Sequence, residues 1–429
     1  MRTYYLNKLS QEDIALLTKR PAINLENILT VVKPLLNDIK TNGLQAALNY
    51  AKEFDGFEGE EVLVTKKEFD EAEKNLDTKI KSAIKTAFNN IEKFHIKQVP
   101  VRYEIETMAG INCSREFRAI ENVGMYIPGG SAVLPSTMLM LGIPAKIAGN
   151  RRVVACSPSK NNKINLPLLF AAKLCEVEEF YKIGGAQAVG LMAYGDKDVQ
   201  KVNKIFGPGN QYVTAAKLLV SIDPDGCSID MPAGPSEVLV IADSSANPAF
   251  VAADLLSQAE HGVDSQVVLI TTNLGMANNI ELELVNQLEQ IPRKDLASKS
   301  LENSFVLITD DISKAIGFSN KYAPEHLIIN VKEPDSYIQS ILNAGSVFLG
   351  QYSPESAGDY ASGTNHSLPT YGYAKTFGGV SVEAFIKSIT FQKLSREGLK
   401  NISGAVETLA EVEGLQAHKN AITIRLKNR

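Results

Sequence analysis

Short runs of β-branched and other apolar residues begin at Val123 and alternate with helical stretches and glycine turns as far as Val331. The runs are RVVACSP, EEFYKIGG, KVNKIFGPG, SEVLVIAD, SQVVLITT, NSFVLITD and HLIINV. Strands that alternate with helices of about 10–15 residues are typical of a parallel sheet. This pattern therefore predicts an α/β fold.

The α/β pattern contains an internal echo. A helix, RRVVACSP, a second helix and EEFYKIGG are followed later by a helix, DSQVVLITT, another helix and NSFVLITD. The echo suggests two similar α/β halves. Because 429 residues are more than one hydrophobic core usually serves, we expect at least two domains.

Helical patterns flank this region on both sides. Residues 1 to about 105 show apolar positions at helical spacing with Glu/Lys-rich faces, as in KKEFDEAEKNLDTKIKSAIKTAFNNIEKF. From about Ser395 the chain returns to helix, in SGAVETLAEVEGLQAHKNAITIRL. A tail of roughly 30 residues is too short for a core of its own, so it must pack on something else.

Charge and hydropathy argue against several classes of protein. The chain has 44 basic and 49 acidic residues, a net charge of −5, and no long basic run, which argues against a nucleic-acid partner. The N-terminus, MRTYYLNKLSQEDIALL, lacks the apolar core of a secretion signal. The most apolar segment, Ala132 to Ala148, is interrupted by Pro135, Pro144 and Lys146 and should not span a membrane. We expect a cytoplasmic protein with no membrane partner.

Cysteine and histidine are both scarce. The four cysteines form no C-x-x-C pair, which argues against a disulfide framework or a cysteine zinc site. They are Cys113, Cys156, Cys175 and Cys227. The five histidines are His95, His261, His326, His366 and His418.

A helix is predicted after SEVLVIADSSANPAF, with Asn247 as its N-cap, Pro248 in its first turn and Gly262 beyond its end. Gln258 and His261 are three residues apart and therefore share one face. Taken alone, this pair fits a polar helix end better than a ligand set.

Glu325 and His326 stand at the start of the apolar strand in APEHLIINV. Pro324 keeps the preceding backbone extended, and a carboxylate beside an imidazole is a plausible acid–base pair. Neighbours in a regular strand face opposite ways, so both can serve one site only if the backbone turns there. Taken alone, the pair fits a surface strand end equally well.

The segment SPESAGDYASGTNHSLPTYGYA is predicted to be a long loop that holds a ligand, since long irregular loops are usually functional or disordered. It carries Asp359, Tyr360 and His366. In the tail, His418 follows Glu413 by five residues, and Gly414 between them predicts a break in the helix.

Three glycine-rich segments adjoin predicted strands, where the backbone turns tightly and can approach a ligand. They are Tyr126–Ala132, Ile183–Gly190 and Phe206–Val213. None contains G-x-G-x-x-G, so local chemistry alone favours turns over a nucleotide site.

Together these segments carry a resemblance over essentially the whole chain. YIPGG, GGAQA, GPGN, MPAGPSEVLVIAD, DLLSQAEHG, APEHL, SAGDYASGTNH and EGLQAHKNA occur in the order seen in the histidinol dehydrogenase family, which catalyses the last step of histidine biosynthesis. The resemblance is weakest over the first hundred residues. It implies two incomplete Rossmann-like domains with parallel sheets, a small terminal domain, and a helical tail that crosses to the partner of a homodimer.

The domains implied by the resemblance are 1–22 with 381–395 as the small terminal domain, 23–125 with 236–380 as the metal and substrate domain, 126–235 as the NAD-binding domain, and 396–429 as the tail. The implied ligands of one zinc ion per subunit are Gln258, His261, Asp359 and His418. The implied acid–base pair is Glu325 and His326. The implied substrate contacts are Ser236, Glu413, His326 and the zinc ligands. The implied NAD contacts are Tyr126, Gln187 and Asn210. His95 is expected at the surface and His366 is expected to order its loop.

The resemblance further implies an NAD-dependent four-electron oxidation of L-histidinol through L-histidinal to L-histidine. Two imidazoles, a carboxylate and an amide oxygen form a ligand set that suits zinc. His326 is suited to take the hydroxyl proton and Glu325 to activate a water for the aldehyde step. The lack of a nucleophilic cysteine nearby argues against a thiohemiacetal route.

Three other functions fit parts of the pattern. A related zinc/NAD dehydrogenase could act on another small alcohol, such as a sulfonated diol, although Ser236 and Glu413 match the histidinol contacts. A zinc hydrolase could use Glu325 to activate metal-bound water but would leave the glycine segments unexplained. A metal-binding protein without catalysis would leave Glu325 and His326 unexplained.

Overall fold

The computed structural model describes residues 1–20, 25–59, 61–129, 134–231 and 234–427. The strands in these ranges are β1 (Arg2–Tyr5), β2 (Tyr103–Met108), β3 (Ile111–Ala119), β4 (Asn122–Tyr126), β5 (Arg152–Cys156), β6 (Glu179–Tyr181), β7 (Lys204–Phe206), β8 (Ser228–Ile229), β9 (Glu237–Ala242), β10 (Gln266–Thr271), β11 (Phe305–Ile308), β12 (His326–Asn330), β13 (Ser346–Leu349) and β14 (Ile386–Leu394).

The helices are α1 (Gln11–Leu17), α2 (Leu25–Asp55), α3 (Lys66–Asn75), α4 (Thr78–His95), α5 (Pro135–Ala148), α6 (Leu166–Leu174), α7 (Gly185–Tyr194), α8 (Gln211–Ile222), α9 (Pro248–Ala259), α10 (Leu274–Leu288), α11 (Lys294–Glu302), α12 (Ile312–Tyr322), α13 (Glu355–Tyr360), α14 (Arg396–Val412) and α15 (Gln416–Lys427). No helix in the described part of the chain is long and apolar enough to cross a membrane.

Two parallel sheets share one strand order. The first runs β6-β5-β4-β7-β8, and the second runs β11-β10-β9-β12-β13 with β1 added beside β11. Counted along the chain, both sheets follow the order 3-2-1-4-5, which is the Rossmann order without its sixth strand. The predicted α/β class with two incomplete Rossmann-like halves is confirmed, and the internal echo corresponds to β5–β6 and β10–β11.

The central strands are apolar throughout because both of their faces are buried. In β9, Val238 and Val240 belong to the core under α9 and α10, while Leu239 and Ile241 belong to the core under α12. All seven runs that the sequence predicts as strands form strands in these two sheets.

The N-terminal helices cover the first sheet. Leu36 and Ile39 of α2 pack against Gly190 of α7, where a Cβ atom would lie 3.0 Å from each side chain. Residues 25–95 therefore pack mainly with the predicted NAD-binding domain, and Asn90 and His95 also contact Ala361 and Asn365. A small residue at the contact and apolar positions at helical spacing allow this close helix packing.

The N-terminal strand belongs to the second sheet. Arg2–Tyr5 pairs in parallel with Phe305–Ile308 and extends that sheet. β14, which includes most of the predicted terminal-domain segment 381–395, pairs antiparallel with β3 over nine residues, and β2 completes that three-stranded sheet. An edge strand satisfies the free backbone groups of the sheet it joins, which favours β1 beside β11.

The tail forms two helices that pack on each other, α14 and α15. Gly414 separates them with φ at +73°, which confirms the predicted break. Leu409 and Val412 of α14 are 61% and 80% exposed, and all six residues of β2 are exposed as well. The tail has almost no core of its own, as its length predicts.

His95 is buried, and its predicted surface position is wrong. It follows Ile84, Ala87 and Ile91 on the buried face of α4, a spacing that could have located it. Its Nδ1 lies 2.8 Å from the Ile91 carbonyl oxygen, and its Nε2 lies 3.3 Å from the Asn365 amide nitrogen.

Candidate active site

A cavity of about 530 Å³ lies between the two parallel sheets. On one side, the turn after β7 contributes Asn210 at the carboxyl edge of the first sheet. On the other side, residues just before β9 and β12 line the cavity at the amino edge of the second sheet, together with the end of α9 and with α13. Seven predicted site residues line this cavity: Asn210, Ser236, Gln258, His261, Glu325, His326 and Asp359.

Glu325 and His326 reach the cavity together because the chain turns sharply before β12. Ala323 ends α12 in the left-handed conformation at φ +53°, and Pro324 follows. The two side chains are almost fully buried, and His326 Nδ1 lies 3.6 Å from Glu325 Oε2. The backbone turn that lets both side chains reach one site is therefore present.

The backbone of Glu237 at the start of β9 holds both members of the pair. Its N–H donates to Glu325 Oε2 at 2.8 Å, and its carbonyl oxygen lies 3.1 Å from His326 Nδ1. An Nδ1–H that donates to this carbonyl leaves Nε2 as the proton-accepting atom of a neutral ring. Nε2 faces Asp359, with 3.3 Å to Oδ1.

The charges of these groups depend on one another. Burial raises the pKa of the Glu325 carboxyl to about 8. Burial alone would lower the pKa of His326, but the carboxylates of Glu325 and Asp359 outweigh it and raise that pKa to about 10. Burial would raise the pKa of Asp359, but the contact with His326 outweighs it, so this pKa lies below its ordinary value. The site is therefore built to hold and move a proton.

Asp359 lies in a short helix, where the sequence predicted an irregular loop. α13 begins after Pro354 and carries Glu355 in its first turn, a start signal that the small residues of this segment obscured. The helix turns Asp359 toward the end of α9, which carries Gln258 and His261. His366, expected to order this segment, donates its Nδ1–H to the Asp359 carbonyl oxygen at 2.9 Å and also lines the cavity.

The residues present fit a divalent cation. Gln258, His261 and Asp359 offer an amide oxygen, an imidazole nitrogen and a carboxylate, which is an N/O set that suits zinc. Asp359 Oδ1 and His326 Nε2 are buried and, although they lie 3.3 Å apart, neither atom makes a well-aligned hydrogen bond within the described residues. A buried carboxylate oxygen of this kind calls for a ligand.

Two implied site residues lie elsewhere. His418 and Glu413 are exposed on the tail and do not line the cavity of their own chain. Accordingly, the described part of the chain contains no cluster of three His, Cys, Asp or Glu residues placed to hold a metal.

The implied NAD contacts lie at the carboxyl edge of the first sheet. Asn210 caps α8 by accepting from the N–H groups of Tyr212 and Val213 at 3.0 and 3.1 Å. Tyr126 and Gln187 are buried and do not line the cavity. The Tyr126 hydroxyl accepts from Gly185 N–H at 3.1 Å, and the Gln187 amide donates to Asp55 at 2.9 Å.

The glycine segments form tight turns around these residues. Gly207 has φ at +116°, and a Cβ there would collide with the Tyr126 carbonyl oxygen, so the turn after β7 requires glycine. Gly185 has φ at +61° where α7 begins. The first glycine segment is described only as far as Gly129, and Gly130–Ala132 lie outside the described residues.

Comparison with known proteins gives one consistent result. The family model of histidinol dehydrogenase matches residues 18–426. Histidinol dehydrogenase of Vibrio parahaemolyticus is 51% identical over 428 residues, covering 100% of this chain and 99% of that protein. The chloroplastic enzyme of Arabidopsis thaliana is 50% identical over 430 residues, covering 100% of this chain and 92% of that protein. A solved structure of histidinol dehydrogenase from Elizabethkingia anophelis matches with a TM-score of 0.94 and 49% identity, covering 100% of this chain and 98% of that one. The chain belongs to the histidinol dehydrogenase family.

Proposed function

We propose that this chain oxidises L-histidinol through L-histidinal to L-histidine with NAD, as the last step of histidine biosynthesis. Family membership over the whole chain supports the reaction. The observation that carries it is the buried Glu325–His326 pair, which shares one cavity with Gln258, His261 and Asp359. The opposite wall of that cavity is the turn that carries Asn210, one of the implied NAD contacts.

The zinc site proposed here uses Gln258, His261 and Asp359 of one chain and His418 of a tail. When bound, zinc supplies a positive centre that fixes the substrate's donor atoms and holds them in place. Ser236 borders the cavity and is assigned to the substrate, as is Glu413 of the tail. A carboxylate such as Glu413 suits the cationic or N–H part of histidinol.

In the first step, His326 accepts the hydroxyl proton at Nε2. Its Nδ1 is held by the Glu237 carbonyl, so the ring cannot rotate away from the substrate. Once Asp359 is engaged with a cation, one of the three carboxylates that raise the pKa of His326 is neutralised, so that pKa falls and the neutral ring can accept a proton. NAD, when bound, accepts the hydride that leaves carbon in each of the two steps.

In the second step, Glu325 removes a proton from the water that attacks the aldehyde. Its pKa of about 8 suits a general base near neutral pH, and its Oε2 is oriented by the Glu237 N–H. Attack of the water with loss of this proton gives the hydrate anion, and loss of a hydride and of the remaining hydroxyl proton then yields the carboxylate. No cysteine is among the residues that line the cavity, so a water route accounts for the chemistry.

We further propose a homodimer in which each tail completes the partner's site. The support is that Glu413 and His418 lie outside the cavity of their own chain, and that the tail exposes Leu409 and Val412. Exposed apolar side chains on a helix pair without its own core are suited to burial against a second copy.

NAD binding is assigned to residues 126–235, with Tyr126, Gln187 and Asn210 as contacts. Asn210 lines the cavity, whereas Tyr126 and Gln187 are buried at the same edge of the first sheet and do not line it. We also assign the protein to the cytoplasm, a reducing compartment in which its four free cysteines remain thiols. The chloroplastic relative shows that the family also works in an organelle.

A metal-depletion assay separates this function from a metal-independent one. Purified chain with histidinol and NAD should form NADH, chelation should abolish the signal, and zinc should restore it. His261→Ala should also lose stoichiometric zinc by elemental analysis, because one of the three ligands in the cavity is removed. Full activity in zinc-free protein would refute the site. If the protein hydrolysed a substrate and formed no NADH, the result would favour a zinc hydrolase. If NADH formed with another alcohol but not with histidinol, the result would favour a related dehydrogenase.

A further inference from the structure

A buried carboxylate lies directly behind Gln258. Glu355, the first residue of α13, is 1% exposed and belongs to none of the roles assigned above. The Ser257 hydroxyl donates to its Oε1 at 2.9 Å. The Gln258 amide, oriented to satisfy both groups, places its nitrogen 3.1 Å from Oε1 and 3.2 Å from Oε2 of Glu355.

This contact determines which way the Gln258 amide points. A carboxylate only accepts hydrogen bonds, whereas an amide has a donor side and an acceptor side. The NH₂ side therefore faces Glu355, and the carbonyl oxygen faces the opposite way. This orientation belongs to the ionised carboxylate, because a protonated Glu355 would also offer an O–H donor that the amide oxygen could accept.

The opposite direction is the cavity that Gln258 lines with His261 and Asp359. An amide oxygen can bind a cation, whereas the NH₂ group presents protons that a cation repels. Gln258 is fully buried, so water cannot satisfy the hydrogen-bonding groups of an amide that is turned the other way.

We propose that Glu355 is a positioning residue that fixes Gln258 with its oxygen toward the metal. The inference rests on the zinc site proposed above. Outer hydrogen-bond partners of this kind orient metal ligands, and their loss typically weakens metal binding about 10–100-fold.

The test measures the zinc dissociation constant of the full chain by competition with a chelator. Glu355→Gln keeps the size of the side chain but adds an NH₂ group, so the Gln258 amide can pair in either orientation. We expect zinc binding about 10-fold weaker or more in this variant. The matched control is Asp254→Asn, which removes a buried acidic group one turn earlier on α9 and should leave zinc affinity within about a factor of two.

A double-mutant cycle shows whether the effect passes through Gln258. In a Gln258→Ala background, Glu355→Gln should cause no further loss of zinc affinity. Ser257→Ala, which frees Glu355 but leaves Gln258 in place, should weaken binding less than Glu355→Gln does. Ser257→Ala also tests the proposal if Glu355→Gln does not fold.

Two results would overturn the inference alone. Wild-type zinc affinity in both Glu355→Gln and Ser257→Ala would show that the amide needs no such partner. An undiminished loss in the Gln258→Ala background would show that Glu355 acts by its charge or as a ligand. Absence of zinc binding by the unmodified chain would instead overturn the zinc site of the proposed function, and this inference with it.

Discussion

At the scale of single residues, Arg20 connects the start of β9 with the turn before β12. Its Nε and Nη2 donate to the two carboxylate oxygens of Glu237 at 2.8 and 2.7 Å. Its other N–H groups donate to the carbonyl oxygens of Thr18, Tyr322 and Ala323, and the guanidinium lies 3.5 Å from the centre of the Tyr322 ring. Arg20 therefore links the strained turn at Ala323 to Glu237, whose backbone orients the proposed acid–base pair.

Arg20→Met should destabilise the protein strongly. Arg20 and Glu237 are 5% and 2% exposed, and removal of one member of a buried pair leaves the other charge uncompensated, at a cost of about 3–5 kcal/mol. The free energy of unfolding in urea measures this loss. The control is the double variant Arg20→Met with Glu237→Met, which should be more stable than Arg20→Met alone. A loss below about 1 kcal/mol in Arg20→Met would contradict the structural role.

Glu325 should give the aldehyde step its dependence on pH. Because the base must be deprotonated and its pKa is raised to about 8, the rate with histidinal should rise as the pH increases through about 8 and then level off. Glu325→Gln should remove this inflection and slow the aldehyde step by about 10²–10⁴-fold. The alcohol step should lose less in the same variant. Equal losses in both steps would mean that Glu325 only positions other groups.

At the scale of elements, the tail formed by α14 and α15 carries two proposed site residues, Glu413 and His418, outside the cavity of its own chain. Ser395 caps α14 by accepting from Gly398 N–H, and Gly414 redirects the chain before α15. These local signals define the two helices. In the proposed homodimer the surface on which these helices pack belongs to a second copy of the chain, which no local signal specifies.

Co-expression of His261→Ala with His418→Ala tests whether the tails cross. In a mixed dimer with crossed tails, one site collects both lesions and the other collects neither. Random pairing makes half of the dimers mixed, so roughly a quarter of all sites should be intact. Each variant alone is the control and should be inactive. Mixed dimers without activity would place each tail on its own chain.

At the scale of the whole molecule, the elements that were predictable are those with local signals. Seven of the eleven strands described in the two parallel sheets follow from β-branched runs, and the start of α9 follows from Asn247 and Pro248. The pairing of β1 with β11 joins residues about 300 positions apart and has no local signature. The contact of α2 with Gly190 spans about 150 positions and has no local signature either.

The residues in and around the cavity divide in the same way, into those with local sequence signals and those without. Its residues were predictable from motifs and from the family resemblance, since short segments carry them. Arg20 and Glu355 escaped prediction because their importance depends on burial and on partners in distant segments. A buried charge looks like a surface charge until the packing around it is known.

The central claim is that one cavity performs two successive oxidations without releasing the aldehyde. Glu325 and His326 are 3.6 Å apart, so the base for each step can serve the same bound substrate. The direct test is the amount of NADH formed per histidinol consumed by the purified enzyme, with a carbonyl trap present in solution. The account predicts two NADH per histidinol, histidine as the product and little trapped aldehyde. One NADH per histidinol, with the aldehyde trapped quantitatively, would contradict it.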